Sequence, residues 1–189
     1  MKAIDAFLEA IKEAQVEFSE RPYDFVSSER EAEFRLYQGI RSRLDAGGVQ
    51  FTIQGDKCPQ PPIVANSGER IRVEYFWRRK DALVKPDILI LKTGAHIIEQ
   101  AVPDEDVELI IELKVCWGGA GCGIALAKGL EQLQYYISNG LPAELVVFRA
   151  DASTAASKNA AKDMISQDRT LASHVHIAFR DTLVHGDQV

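Results

Sequence analysis

Two segments near the start of the chain carry apolar side chains every three or four residues, the spacing typical of amphipathic helices. The first spans residues 3–19, and its apolar stripe consists of Ile4, Phe7, Leu8, Ile11, Ala14 and Phe18. Pro22 cannot continue this helix, so the helix is expected to end near it. The second helix is predicted from Ser28, with Glu31 placed for a capping box, to about residue 46.

After residue 48 the pattern changes to alternation and to short apolar runs, which are typical of strands. We predict strands at 49–53, 71–77, 87–91, 109–115, 145–148 and 175–179, helices at 124–138 and 157–171, a loop at 55–68 and a hairpin turn at 78–81. Short turns join antiparallel strands, whereas strand–helix–strand steps join parallel ones. The pattern therefore predicts an α/β fold with a mixed central β-sheet flanked by helices.

Length and composition fit one globular domain. The chain has 189 residues, of which 46% are hydrophobic and 26% charged. We expect a single domain over residues 27–189, with residues 1–26 forming an amphipathic helical appendage. No stretch approaches the ~18 apolar residues of a membrane span, and acids near the start are unlike a signal peptide. We therefore expect a cytoplasmic protein with no membrane partner.

The net charge of −6 argues against a protein that simply coats nucleic acid, but it leaves a local basic surface possible. The three cysteines, an odd number, favour reduced thiols at Cys116 and Cys122. The glycine-rich run 118–123 lacks the Gly-Lys-Ser/Thr ending of a phosphate loop, so a flexible loop over the site is expected. Trp77 and Trp117 are expected in the core or at its edge.

Three charged residues occur where the pattern predicts buried strands. Asp87 begins one apolar strand, and Glu112 and Lys114 lie inside another. Because strand side chains alternate, Glu112 and Lys114 point to the same face. Buried charges are costly unless they are compensated, and a divalent cation bound by Asp and Glu would compensate them. An internal salt bridge, or a strand edge with one wet face, is the alternative explanation.

The order of Pro86-Asp87 and Glu112-Leu113-Lys114 resembles the signature of the PD-(D/E)xK nuclease superfamily. In that family an acidic residue on the preceding helix often completes the metal site. Glu33 lies on the inward stripe of the second predicted helix, with Glu29 one turn earlier as the alternative. The 24 residues between Asp87 and Glu112 require an insertion over 92–108, in which residues 96–98 could extend one strand of a hairpin.

The helix that follows extends the resemblance. Gln132 and Tyr136 look like the Gln-x-x-x-Tyr element of the RecB-like branch, and Lys128 shares their helical face. An ordinary surface or core-edge helix is the alternative for this face. Arg78 and Arg79 are the best candidates for contacts with a nucleic-acid backbone, although basic side chains in such a hairpin most often only face solvent.

The resemblance implies a restriction-endonuclease-like core and a Mg²⁺- or Mn²⁺-dependent hydrolase that cuts DNA phosphodiester bonds. It implies that Asp87, Glu112 and Glu33 hold the metal and that Lys114 polarises the attacking water. A homodimer or a protein partner is possible. The alternative is a catalytically inactive module with the nuclease fold that acts through a protein partner. A small-molecule enzyme ranks below both because the sequence has no cofactor fingerprint.

Overall fold

The computed structural model describes residues 2–22, 29–44, 63–64, 71–73, 77–79, 82–92, 95–97, 102–117, 120–151, 154–166 and 169–186. The predicted N-cap at Ser28, the strand at 49–53 and most of the loop at 55–68 lie outside these residues. No helix in the described part of the chain is both long and apolar enough to cross a membrane.

The helices and strands alternate along the second half of the chain. The helices are α1 (Ala3–Glu20), α2 (Glu29–Arg43), α3 (Ala120–Ser138), α4 (Ala155–Ile165) and α5 (Arg169–Ala172). The strands are β1 (Ile63–Val64), β2 (Ile71–Val73), β3 (Trp77–Arg79), β4 (Ala82–Val84), β5 (Ile88–Leu91), β6 (His96–Ile97), β7 (Val107–Cys116), β8 (Ala143–Arg149), β9 (Val175–Phe179) and β10 (Leu183–His185). A single turn of 3₁₀ helix, Asp104–Asp106, precedes β7.

Six strands form the main sheet in the order β10-β9-β8-β7-β5-β2. The three central strands β7, β8 and β9 run parallel, whereas β10, β5 and β2 are antiparallel to their neighbours. This arrangement confirms the predicted α/β class with a mixed central sheet. The parallel pairs follow from the crossover helices α3, α4 and α5, and the antiparallel pairs lie at the two margins.

The alternation of side chains along β7 divides the hydrophobic interior into two layers. Ile110 faces the layer formed with α3, α4 and α5. Leu109, Ile111 and Leu113 face the layer formed with α1 and α2. Both faces of the central strands are therefore covered by helices, which explains why these strands are nearly continuous apolar runs rather than alternating ones.

The N-terminal helix packs into the second of these layers. Its buried stripe consists of Ala3, Ala6, Phe7, Ala10, Ile11, Ala14 and Phe18. Phe18 meets Phe148 of β8 edge to face, with ring centroids 5.5 Å apart. The residues that the sequence analysis assigned to an appendage thus share a core with α2 and the sheet.

Several predicted boundaries were wrong. Arg78 and Arg79, predicted in a hairpin turn, belong to strand β3, which pairs with β4 through Arg79 and Ala82. The loop at 55–68 contains β1, which pairs with β6. The short strand β10 was missed because three residues carry too little periodicity to be recognised.

The glycine-rich run is also different from the prediction. Helix α3 begins at Ala120, so Gly121 and Gly123 are helical and do not form a loop over the site. Glycine has a low intrinsic helix propensity, and tertiary packing overrides it here. A Cβ at either position would meet no atom within 4 Å, so the packing does not require glycine there.

Gly129 of α3 is different, since it allows the helix to approach the sheet closely. A Cβ at Gly129 would lie 2.7 Å from Leu145 Cδ1 and 3.3 Å from Lys114 Cγ. Leu145 is fully buried and has little room to move.

We expect Gly129→Ala to destabilise the fold by about 1–3 kcal/mol through overpacking. The matched control Gly123→Ala should stabilise by about 0.5–1 kcal/mol, because helix propensity alone acts there. Urea unfolding of both variants measures the difference, and equal effects would contradict the proposed close contact.

Candidate active site

Asp87, Glu112 and Lys114 converge on the α3 side of the sheet. Ile88 pairs with Ile111 in the antiparallel ladder, so Asp87, one residue before β5, lies opposite Glu112. Glu112 and Lys114 are buried in the carboxyl-terminal half of β7. Asp87 Oδ2 accepts a hydrogen bond of 2.7 Å from the backbone N–H of Leu113. The backbone ladder and this bond fix the position of the first carboxylate relative to the second.

The ammonium group of Lys114 lies between the carboxylates. Its Nζ is 3.3 Å from Asp87 Oδ2, 3.5 Å from Glu112 Oε2 and 3.8 Å from Glu29 Oε1. It also donates a hydrogen bond of 2.7 Å to the carbonyl oxygen of Leu113. The three acidic groups therefore share one positive charge.

Helix α3 covers the cluster on one side of the sheet. The hydroxyl of Tyr136 donates a hydrogen bond of 2.9 Å to Glu112 Oε1. The other oxygen, Glu112 Oε2, has no hydrogen-bond donor among the described residues, although it is buried. Gln132 Oε1, one helical turn before Tyr136, is also buried without a hydrogen-bond partner in the same part of the chain. Glu112 Oε2 is thus engaged by the ion pair with Lys114 Nζ at 3.5 Å, whereas Gln132 Oε1 has capacity to accept a hydrogen bond from a ligand.

Helix α2 contributes an acidic residue at its first turn. Glu29 reaches Lys114, and its carboxylate also accepts a hydrogen bond from the backbone of Val115. Glu33, the residue first chosen from the sequence, is buried one turn further along α2 on the same stripe as Tyr37, Ile40 and Leu44. The ion pair that joins α2 to the cluster is therefore made by the alternative acid, Glu29.

The remaining predicted site residues lie in different places. Lys128 is exposed on α3, and its positive charge acts on the carboxylate of Glu29. Arg78 and Arg79 lie on β3, in a two-stranded sheet separate from the main one, and their side chains lie outside the described residues. Tyr136 is buried and bonded to Glu112, so its hydroxyl already has an intramolecular partner.

Burial raises the pKa of Glu112 to about 8, with the negative charge of Asp87 acting in the same direction and the charge of Lys114 against it. Burial also raises the pKa of Glu29. For Lys114, burial favours the neutral form, but the carboxylates of Asp87, Glu112 and Glu29 outweigh it and raise its pKa. Burial and the neighbouring charge of Glu112 raise the pKa of Tyr136, so its hydroxyl stays a hydrogen-bond donor. The cluster has more negative groups than its single ammonium can stabilise.

Two expectations about the end of β7 were wrong. Cys116 and Cys122 form a disulfide, with their Cα atoms 5.1 Å apart, instead of two reduced thiols. The early start of α3 brings Cys122 back over the end of β7, a proximity that an odd cysteine count cannot show. Trp117, expected in the core or at its edge, has 52% of its surface exposed.

A second buried polar cluster was not predicted from the sequence. On the α1 face of the sheet, Glu144 contacts His174 Nδ1 at 3.0 Å and His176 Nε2 at 2.8 Å. The opposite ring nitrogen of His176 lies 2.7 Å from Nδ1 of His185, and Phe7 packs edge-on against the His176 ring. The alternation of His174 and His176 indicated that they share a face. His185 could not be added to them because strand β10 was not predicted.

The candidate active site has a donor set suited to a small hard cation. Within the described residues, no three or more His, Cys, Asp or Glu side chains form a complete metal-binding group. Magnesium does not need such a group, because it is commonly held by one or two carboxylates, with water and substrate phosphate as its other ligands. Asp87 and Glu112 provide two carboxylates of this kind, both close to Lys114 Nζ.

The fold and the site define an α/β domain with a buried carboxylate–lysine cluster near the carboxyl end of a central strand. Comparisons with protein-family models, with curated proteins and with solved structures find no match for this chain. The site residues therefore have to be interpreted from their own geometry and chemistry.

The raised pKa of Glu112 predicts how stability depends on pH in the metal-free protein. Between its ordinary pKa of 4.5 and about 8, the unfolded chain loses the Glu112 proton while the folded protein retains it. The free energy of unfolding should therefore fall as pH rises through this window. Glu112→Gln should flatten the slope, as measured by urea unfolding at several pH values. A slope unchanged in Glu112→Gln would show that Glu112 is not the titrating group.

Tyr136→Phe tests the hydrogen bond from α3. It removes the hydrogen bond that the Tyr136 hydroxyl donates to the buried Glu112 carboxylate, and we expect a loss of about 1–3 kcal/mol. Tyr135→Phe is the matched control because Tyr135 is the adjacent residue and is exposed. Its effect should stay within about 0.5 kcal/mol. Equal destabilisation by the two substitutions in thermal and urea melts would contradict the role assigned to the Tyr136 hydroxyl.

Proposed function

We propose that this protein is a metal-dependent nuclease that hydrolyses DNA phosphodiester bonds, with magnesium or manganese as its cofactor. The observation that carries the proposal is the convergence of Asp87 with Glu112 and Lys114, which come 25 and 27 residues later in the chain. The sequence resemblance to the PD-(D/E)xK superfamily, and to its restriction-endonuclease-like core, supports the same function. The proposal is based on this cluster, because the fold class alone does not determine a function.

Asp87 and Glu112 would hold the cation, with Glu29 or Glu33 as a further ligand, directly or through water. When bound, the cation would lower the pKa of a coordinated water and neutralise charge on the phosphate oxygens. Glu112 has to lose its proton for this role, so its raised pKa makes metal binding stronger at higher pH. The distance to Lys114 favours Glu29 as the further ligand from α2, whereas the family resemblance favours Glu33.

Lys114 would orient the attacking water and stabilise the charge that develops on the phosphate. In the metal-free protein its ammonium group is within 4 Å of three carboxylates, where it partly takes the place of a cation. Its aliphatic stem packs close to Gly129 of α3, which limits how far the ammonium can move. With Asp87 and Glu112 engaged by a cation, the Lys114 ammonium would be available to a substrate phosphate.

Helix α3 would provide contacts to the nucleic acid. Lys128 is exposed and can meet a phosphate. Gln132, one helical turn before Tyr136, has a buried oxygen with no hydrogen-bond partner among the described residues. Tyr136 is better assigned as a positioning residue, because it acts through Glu112. Arg78 and Arg79 on the β3–β4 hairpin remain proposed contacts to the DNA backbone.

One observation favours the alternative, a binding or assembly module without catalysis. Lys114 already neutralises part of the carboxylate charge, so the cluster is also a possible structural salt bridge. A structural cluster of this kind needs no metal. The two functions therefore differ in whether a divalent cation changes the protein.

Purified protein incubated with plasmid DNA and with single-stranded DNA, in magnesium, manganese or EDTA, tests the proposal. We expect cleavage in either metal and none in EDTA. Lys114→Met keeps the buried stem and removes the charge, so it should reduce the rate about 10²–10⁴-fold. Lys162→Ala, which removes an exposed lysine of α4, should leave the rate unchanged.

Thermal melting of the same proteins shows whether each variant is folded and whether the metal binds. A metal-induced rise in melting temperature should occur in the natural sequence and decrease in Asp87→Asn. Absence of cleavage in every metal, together with an unchanged melting temperature, would overturn the nuclease proposal and support the assembly module.

A further inference from the structure

The disulfide between Cys116 and Cys122 lies in the same row of side chains as the candidate active site. Cys116 follows Glu112 and Lys114 at alternate positions of β7, so the three side chains point to one face of the strand. Both cysteines are buried in the hydrophobic layer on the α3 side of the sheet. The bond therefore joins the strand that carries the cluster to the helix that covers it.

Helix α3 meets each of the three side chains in this row. The contacts are a hydrogen bond, a close approach and a covalent bond, made by Tyr136 with Glu112, by Gly129 with Lys114, and by Cys122 with Cys116. The partners follow one another in opposite order along the two elements, as expected for a helix that crosses back over a parallel sheet. The disulfide is thus one of three attachments of α3 to this face, and it lies where the helix begins.

The first turn of α3 depends strongly on this attachment. Gly121 and Gly123 flank Cys122, and glycine has a low intrinsic helix propensity. A Cβ at either glycine would meet no atom of the described residues within 4 Å, so packing around these two positions is sparse. Segments with sparse packing open locally at a lower free energy than the core does. The turn can therefore open while the rest of the fold stays intact.

The position of the disulfide in the chain also indicates a local role. Its two cysteines are separated by six residues, and a cross-link that closes so short a loop constrains the unfolded chain less than a long-range one. Both hydrophobic layers of the sheet are built from residues far beyond this connection. The reduced protein should therefore remain folded, with the change confined to the junction of β7 and α3.

We propose that the Cys116–Cys122 pair is a redox switch that controls cation binding at the carboxylate–lysine cluster. This inference rests on the proposed nuclease function. The oxidised pair holds α3 against β7, so that Tyr136 orients the carboxylate of Glu112. After reduction α3 loses one of its three attachments, and the Tyr136 hydroxyl is held less firmly beside Glu112.

The chemistry of the switch is thiol–disulfide exchange with a dithiol. The dithiol gives two electrons and two protons to the sulfur–sulfur bond, which leaves two cysteine thiols and the disulfide of the reductant. An oxidised dithiol reverses the reaction. Because both cysteines are buried, exchange has to proceed through local opening of the first turn of α3.

Binding of Mn²⁺ to the oxidised and the reduced protein tests the inference. Cys58→Ser removes the third cysteine, so that only the pair reacts. One sample is reduced with dithiothreitol and freed of it by gel filtration under argon, and free Mn²⁺ is then measured by electron paramagnetic resonance. We expect the oxidised form to bind Mn²⁺ about tenfold more tightly, the size of effect found when a group that orients a metal ligand is lost. Circular dichroism should show that both forms are folded.

Two sets of variants separate the switch from a general loss of stability. Cys116→Ala combined with Cys122→Ala should bind Mn²⁺ as the reduced form does, whatever the redox treatment. In Tyr136→Phe the difference between oxidised and reduced protein should fall below about twofold, because the link from α3 to Glu112 is already missing. Tyr135→Phe, which alters the exposed neighbour, is the control and should keep the tenfold difference.

Equal Mn²⁺ affinity of the two forms would overturn the switch, and metal-dependent cleavage by both would leave the nuclease proposal intact. Reduction that occurs only when the whole protein unfolds, or a tenfold difference that persists in Tyr136→Phe, would also overturn the switch. Absence of Mn²⁺ binding in both forms would overturn the cation site itself, and the switch with it.

Discussion

The central constraint on this molecule is the burial of carboxylates around one ammonium group. Asp87 and Glu112 lie within 3.5 Å of Lys114 Nζ at a position covered by helix α3. Two acids and one base in a poorly solvated place cannot all be charged without cost, and the raised pKa of Glu112 expresses that cost. The surrounding structure maintains the cluster through the sheet register, the Leu113 backbone and the Tyr136 hydroxyl.

This cluster could be predicted from the sequence because Asp87, Glu112 and Lys114 are charged residues at the start of, or inside, apolar strands, where charges are rare. Alternation placed Glu112 and Lys114 on one face, and the antiparallel register then brought Asp87 opposite Glu112. The sequence also predicted the central strands and the inward stripe of α2. These features depend on periodicity, which is a local property of the chain.

Features that depend on where one element meets another were not predictable in the same way. The choice between Glu29 and Glu33 is set by the distance between α2 and the end of β7, and two acids one turn apart give the same sequence pattern. The disulfide required knowledge that α3 begins at Ala120, against the low helix propensity of its glycines. The exposure of Trp117 likewise follows from the end of the strand and not from the composition around it.

In the histidine cluster, the position of one proton determines which ring nitrogen donates and which accepts in each hydrogen bond between the strands. If the Glu144 carboxylate is ionised, His176 Nε2 must carry a hydrogen to donate to it. A neutral His176 then has a bare Nδ1, and His185 must present its own Nδ1–H to that atom. The tautomer at the edge strand β10 is thus dictated by a carboxylate on β8, two strands away. This chain of side-chain hydrogen bonds therefore adds to the antiparallel backbone pairing that joins β10 to β9.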